Sequence, residues 1–235
     1  MAILVVGGSG RGVGKTALVC GLIAALPEFR WTGVKITTDD HGMGEPIWEE
    51  TDPGQGSDTA RYLSAGAVRA LLVTAPMSDF SNLLFELWAK LGPGTNVIFE
   101  SNRILEHIKP ELCLVVVGGA DEAVLEPEAP EISGICDESS GERSARAKAR
   151  VNPAASMRGL KPPPPSESAF ATESQSGSKS SFSLAARCAD AVVVRAGGDR
   201  MLGEGWGSKP IFQLAEMEHV SPEMLAWIRP ALLRS

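Results

Sequence analysis

Apolar residues occur along the chain in short unbroken runs, separated by stretches in which they recur three and four positions apart. Ala2–Val6 opens the series. An aliphatic, β-branched run bounded by glycine predicts a strand buried on both faces. Arg30–Thr38, Arg69–Ala75, Asn96–Glu100, Leu112–Val117 and Ala191–Val194 read as further strands, and Ile211–Leu214 as a last, edge strand. Helical spacing is found over Ala17–Leu26, over Ser57–Ala65, and from a cap at Ser78 or Asp79 to Leu91. In the third, Phe80, Leu83, Leu84, Leu87 and Trp88 share one face, which is most simply a core stripe. A short helix is expected over Asn102–Ile108. A C-terminal helix starts at Ser221-Pro222-Glu223 and docks through Met224, Leu225, Ile228, Leu232 and Leu233. Strands alternating with helices predict an α/β fold, a mostly parallel sheet flanked by helices.

Two stretches break the pattern. Asp39–Gly56 is rich in Gly, Pro and acid and reads as one long loop. Beyond Gly118-Gly119 the composition changes: Asp121–Glu142 is acidic, Arg143–Lys161 basic, four prolines follow from Pro162 to Pro165, and Ser166–Ser181 is serine-rich. So few large apolar groups cannot offset the entropy of ordering that run, which predicts a disordered insertion over 121–181. The fold resumes at Phe182–Ala189, so residues 1–235 read as one domain carrying an insertion.

Composition narrows the class. Hydrophobic residues make up 43% of the chain, enough for a sizeable core, and the net charge of −7 comes with no basic stripe. That balance argues against nucleic-acid or anionic-membrane binding. No apolar stretch is long enough to span a bilayer. The first strand follows the N-terminus directly, without basic flank or cleavage site, and a cytoplasmic protein is expected. Cys20, Cys113, Cys136 and Cys188 are far apart and form no C-x-x-C pair, so reduced thiols are expected. With His41, His107 and His219 the only histidines, a histidine-based metal site is not expected.

Candidate chemistry gathers at Gly7–Thr16, between the first strand and the first helix. Glycines there allow a tight turn with inward-facing N–H groups, and the helix brings its positive end to the same point. The strict phosphate-loop pattern would want Gly where Ser9 stands, but with a gap one residue longer Gly8 to Gly14-Lys15-Thr16 fits. The dinucleotide fingerprint fails, since Val13 and Lys15 occupy the positions of its last Gly. A Gly-rich turn with a solvated lysine is the plain alternative. The pattern predicts a P-loop NTPase-like site in which Gly8, Gly10, Arg11, Gly12, Val13, Gly14, Lys15, Thr16 and Ala17 contact a nucleotide. Lys15 would reach the β/γ-phosphates and Thr16 would ligate Mg²⁺.

Ligands in open α/β sheets bind beyond the strand carboxyl ends. Lys35 lies near such an end and either faces the nucleotide or is a solvated edge residue. Asp58, in the first turn of its helix, either complements the helix dipole or helps hold a metal. Glu100 closes a strand, as a solvent-exposed residue or as part of a Mg²⁺ shell. Lys15 and Lys35 are thus the candidate catalytic cations, and Thr16, Asp58 and Glu100 the candidate metal residues. A Gly-rich loop from Gly197 to Gly207 lies on the side where a base would sit. The guanine motif Asn-Lys-x-Asp occurs nowhere in the chain.

Taken together, Gly8-x₅-Gly14-Lys15-Thr16, Gly33-Val34-Lys35, Gly56-Ser57-Asp58-Thr59-Ala60-Arg61, Ala65-Gly66-Ala67 and a strand ending in Glu100 resemble the molybdopterin-guanine dinucleotide biosynthesis protein B family. The resemblance covers about the first half of the chain. It implies a dimeric GTP-binding accessory with weak GTPase activity that assists a molybdenum cofactor guanylyltransferase. It also implies phosphate and Mg²⁺ roles for Gly14, Lys15 and Thr16, with Lys35, Asp58 and Glu100 in the matching positions. Ser101-Asn102-Arg103 stand where that family usually has Glu-Gly. The chain is also similar to dethiobiotin synthetase, which implies ATP-dependent ligation; there the lysine is usually followed by Pro, and Ile36 stands here. A nucleotide-gated adaptor without useful turnover is the third reading.

Overall fold

Strand β1 (Ile3–Gly8) and strand β6 (Leu112–Val117) are buried at every position, as unbroken apolar runs require of central strands. They lie side by side in a computed structural model that describes residues 1–38, 45–54, 56–74, 80–118, 173–195, 206–214 and 219–234. The other strands are β2 (Thr32–Thr37), β3 (Ile47–Glu50), β4 (Arg69–Thr74), β5 (Val97–Glu100), β7 (Ala191–Arg195) and β8 (Ile211–Leu214). They form one eight-stranded sheet in the order β3-β4-β2-β5-β1-β6-β7-β8. Every pairing is parallel except β3 with β4.

Alternation along β1 divides the interior into two cores. Ile3 and Val5 pack with Phe80, Leu83, Leu87 and Leu91 of α3 (Phe80–Leu91) and with Phe182 and Ala185 of α4 (Glu173–Cys188). Leu4 and Val6 pack on the opposite face with α1 (Lys15–Ala25), Tyr62 of α2 (Asp58–Ser64) and Met224, Ile228 and Leu232 of α5 (Pro222–Leu232). This is an α/β fold whose mostly parallel sheet is flanked by helices. From β1 the chain crosses through α1 to β2 on one side, and later passes from β5 to β6 on the other. The carboxyl end of β1 is therefore a topological switch point, where crossovers diverge.

Four expectations are corrected. The loop expected over Asp39–Gly56 contains β3, which pairs antiparallel with β4 from Ile47↔Val73 to Glu50↔Ala70. Four residues between Pro46 and an acidic turn carry too weak a local pattern, and the pairing is non-local. Helix α4 begins at Glu173, inside the insertion expected to end at Ser181. Its docked end, with Phe182, Ala185 and Ala186 buried, anchors a helix that propagates back through serines, which tolerate helix without favouring it. The helix expected over Asn102–Ile108 is a 3-10 turn, Arg103–Glu106. Leu233, expected to dock α5, is 66% exposed, because it sits one residue past buried Leu232 and so points around the helix axis.

Other expectations concern positions outside the described residues: the caps Ser78 and Asp79, the part of the insertion before residue 173, Cys136, His41 and the Gly-rich loop up to residue 205. Among the described residues no helix is long and apolar enough to cross a membrane.

Candidate functional site

Gly8 ends β1 and Lys15 begins α1; Ser9–Gly14 make the turn between them. Gly12 (φ 73°) and Gly14 (φ 109°) are left-handed, a conformation a side chain would strain. Gly8 is required for a different reason. A Cβ there would lie 2.9 Å from Lys15 Cγ and 3.0 Å from the Val116 carbonyl oxygen. The Lys15 stem thus folds back over Gly8, and its ammonium donates to the Gly10 carbonyl. Buried Val13 pins the turn to the core, so it can offer a ligand only its backbone. Gly14 caps α1 without a side-chain acceptor, and the first helical turn holds no acid. The positive end of an 11-residue helix therefore meets the turn with no side-chain cap from Gly14 and no acid in its own first turn.

Asn102 holds the strand under this turn. Strand β5 stops at Glu100, level with Val6, so β1 extends beyond its neighbour. The Asn102 amide stands in for the missing strand: its Oδ1 accepts from the Gly8 N–H at 2.8 Å and its Nδ2 donates to the Gly8 carbonyl at 2.9 Å. A Cβ on Gly7 would lie 2.6 Å from Asn102 Oδ1, so Gly7 makes room for the amide.

Sheet register assembles the charged cluster. Lys35 of β2 is paired with Glu100 of β5, and Glu100 with Val6 of β1. Glu100 shares Val6's face of the sheet, the face covered by α1 and α2. Helix α2 then delivers Asp58 above them. Ser57 caps it, accepting from the Ala60 N–H at 3.0 Å, while Glu50, buried at the end of β3, accepts from Ser57 Oγ at 2.9 Å and from the N–H groups of Thr51 and Asp52 at 3.0 Å. The strand that was not expected is thus what fixes the start of α2.

Within the cluster the Lys35 ammonium donates to Asp58 and lies 3.4 Å from Glu100 Oε1. Arg61, one turn along α2, reaches Asp58 Oδ1 at 3.4 Å, and the Thr16 hydroxyl hydrogen-bonds Asp58. The Tyr62 phenol donates to the other oxygen of Glu100, Oε2. Asp58 and Tyr62 are four residues apart and face the sheet together. Tyr62 is fully buried with its ring against Gly33, where a Cβ would lie 2.6 Å from Tyr62 Cδ2.

Burial alone would lower the pKa of Lys35, but the charge of Glu100 and the hydrogen bond and charge of Asp58 outweigh it and raise it above the ordinary lysine value. For Asp58 burial pushes upward, yet the Lys35 hydrogen bond and charge, helped by Arg61 and Thr16, hold the carboxyl below its usual value. Burial, then the Glu100 charge, push the Tyr62 phenol far up. At neutral pH Lys35 is therefore an ammonium, Asp58 a carboxylate and Tyr62 a neutral phenol.

The sequence singled out Thr16, Lys35, Asp58 and Glu100, and they form this one cluster; Gly8–Ala17 form the turn and helix start beside it. Lys15 bonds within the turn, and Arg11 is exposed. Tyr62 was not singled out, and Arg61 and Asn102, though part of the compared motifs, were given no role. Tyr62 and Arg61 follow Asp58 by four and three positions, a helical spacing that could have flagged them. Asn102 could not be found this way, since its role depends on where β5 stops.

Asp58, Glu100 and Thr16 are hard oxygen donors of the kind Mg²⁺ takes. Among the described residues no three His, Cys, Asp or Glu side chains group together, so a cation here would complete its shell with ligand phosphate and water. A hollow of about 330 Å³ at the amino ends of β2, β4 and β5 is lined by Arg30, Thr32, Arg69 and Asn96, far from these groups. No family model matches the chain, and no curated protein or solved structure matches it.

Proposed function

We propose that the chain is a Mg²⁺-dependent nucleoside-triphosphate-binding protein with a P-loop NTPase-like site, acting as a GTP-binding accessory in molybdenum cofactor biosynthesis. The observation that carries the nucleotide reading is Lys15 folded over Gly8 at an uncapped helix start, with the next residue, Thr16, joined through Asp58 to Lys35 and Glu100. In this reading the amides of Gly10–Ala17 and the Lys15 ammonium receive the phosphate oxygens. Thr16, Asp58 and Glu100 would hold Mg²⁺, which when bound neutralises phosphate charge. Lys35 would stabilise charge on the transferring oxygens.

Slow hydrolysis fits the cluster. Asp58 is engaged by Lys35, Arg61 and Thr16, and Glu100 by Lys35 and Tyr62, so neither carboxylate stands ready as a base for water. GTP as the nucleotide, a guanylyltransferase partner and a homodimer rest on the family resemblance of the first half of the chain, and a cytoplasmic setting on the dispersed cysteines and the absence of an export signal at the start of the sequence. Calorimetric titration with GTP and ATP plus Mg²⁺ tests the reading. GTP should bind, and Lys15→Ala should weaken it roughly 10- to 100-fold, the loss of a charged hydrogen bond of ~1.5–3 kcal/mol. Preference for ATP would favour the ligase reading, and binding without turnover, with or without partner, the adaptor. Failure to bind either nucleotide would overturn the proposal.

A further inference from the structure

We infer that Lys35 is a built-in counter-cation: in the nucleotide-free protein its ammonium occupies the place between Asp58 and Glu100 that a divalent ion would take, so that free metal is refused and admitted only with a nucleotide. The inference rests on reading Asp58 and Glu100 as the metal side of the proposed nucleotide site.

Three observations lead there. The Lys35 ammonium contacts both carboxylates at once, donating to Asp58 and lying 3.4 Å from Glu100 Oε1. Both carboxylates are also held by groups other than Lys35. Tyr62 holds Glu100 Oε2, and Arg61 and Thr16 hold Asp58, so the space between them does not open for a second cation while Lys35 stays. Lys35 is itself placed by register beside Glu100, with 22% of its side chain exposed. Its four-carbon stem is flexible and its charge is a point, which lets it change partner without the strand moving.

Charge explains the order of entry. Lys35 and the Arg61 guanidinium stand against Asp58 and Glu100, one cation for each carboxyl group, and a divalent ion arriving alone would meet those neighbouring cations at close range. A triphosphate changes this, because its oxygens offer Lys35 a new anionic partner as the metal takes the old ones. Metal and nucleotide then bind with positive coupling, and by linkage each tightens the other. Without such a lysine, Asp58 would keep Arg61 and Thr16, and Glu100, only 5% exposed, would keep Tyr62, which leaves one cation for two carboxyl groups and a space that would recruit another.

The test uses the full-length protein and Mn²⁺ alone, with free ion followed by electron paramagnetic resonance. The wild type should bind Mn²⁺ only weakly. Lys35→Met, which keeps the stem and removes the charge, should bind one Mn²⁺ roughly tenfold or more tightly than the wild type. Lys35→Arg should stay closed, and adding Asp58→Asn to Lys35→Met should abolish the gain. A Lys35→Met protein that binds Mn²⁺ no better than wild type, or whose gain survives Asp58→Asn, overturns the inference. Should Lys35→Met be poorly folded without metal, Mn²⁺ must raise its thermal midpoint and not that of the wild type; no such rise also overturns it. The nucleotide reading fails separately, by absent GTP and ATP binding in the wild type.

Discussion

Replacing Gly33 by alanine gives the sharpest test of how the sheet and α2 create the cluster, because local propensity and tertiary packing predict opposite signs. A glycine inside a strand is entropically costly, and alanine there commonly stabilises by ~0.4–1 kcal/mol when the backbone is compatible. Here the new Cβ would lie 2.6, 3.1 and 3.2 Å from Cδ2, Cγ and Cβ of Tyr62. The shortest of these is about 1 Å inside the favourable carbon–carbon separation of ~3.5–4.0 Å. The ring is fully buried and cannot swing into solvent, so α2 or the strand must give way. Overpacking of that kind costs ~1–3 kcal/mol. A ring displaced by about 1 Å also loses its hydrogen bond to Glu100, a further ~1.5–3 kcal/mol for a charged acceptor.

The expected loss is therefore ~3–5 kcal/mol, or ~6–20 °C in melting temperature for a chain of this length. Urea unfolding followed by tryptophan fluorescence measures it, with five tryptophans as probes. Relief should come from the partner: in a Tyr62→Leu background the added methyl has room, and the two substitutions should couple by ~1 kcal/mol or more. An alanine variant as stable as wild type, or one that loses as much in the Tyr62→Leu background, would refute the packing of Tyr62 on Gly33.

Asn102→Ala removes both hydrogen bonds to the Gly8 backbone and should cost ~1–3 kcal/mol while loosening the Gly-rich turn; unchanged urea midpoint and unchanged nucleotide affinity would count against it. Asp58 titrates in the folded chain below its ordinary 3.8, so its contribution to stability is complete above about that pH and disappears as the pH falls through the lower folded value. The stability gap between wild type and Asp58→Asn should accordingly shrink below pH 3.8, and a constant gap down to strong acid would exclude the Asp58 pairing. Lys35, raised above 10.5, gives the mirror behaviour: its contribution is complete below that pH and is lost as the pH rises through the folded value. Cys113 is buried, and burial pushes its thiol up to about 12, whereas Cys188 is exposed. Iodoacetamide at pH 8 followed by peptide mass mapping should label Cys188 and spare Cys113; rapid labelling of Cys113 in the folded protein would contradict its position in β6.

Much of the site was legible because its residues carry strong local signals. Gly8, Gly14, Lys15 and Thr16 sit at the spacing of a lengthened phosphate loop, Lys35 lies near the end of a strand pattern, and Glu100 closes an apolar run. Asp58 follows a capping serine. Their types and places on elements were readable one by one. Their meeting was not, since Lys35 faces Glu100 only through the β2–β5 register, and Asp58 reaches Lys35 only because α2 is seated by Glu50 from an edge strand with almost no local pattern.

The sequence alone determined most of the segments that become strand or helix, β3 and the start of α4 excepted, that the sheet is mostly parallel, and that a Gly-rich turn opens the first helix. These follow from hydrophobic period, glycine placement and helix start signals, all within about a dozen residues of chain. Only the tertiary structure decided that Tyr62 backs Glu100, that Asn102 completes the edge of β1 beyond β5, and that Lys35 lies between two carboxylates. Those contacts join positions 23 to 94 residues apart. A local pattern specifies how a segment folds, but which segments become neighbours, and in which register, is set by how the whole sheet buries its two faces.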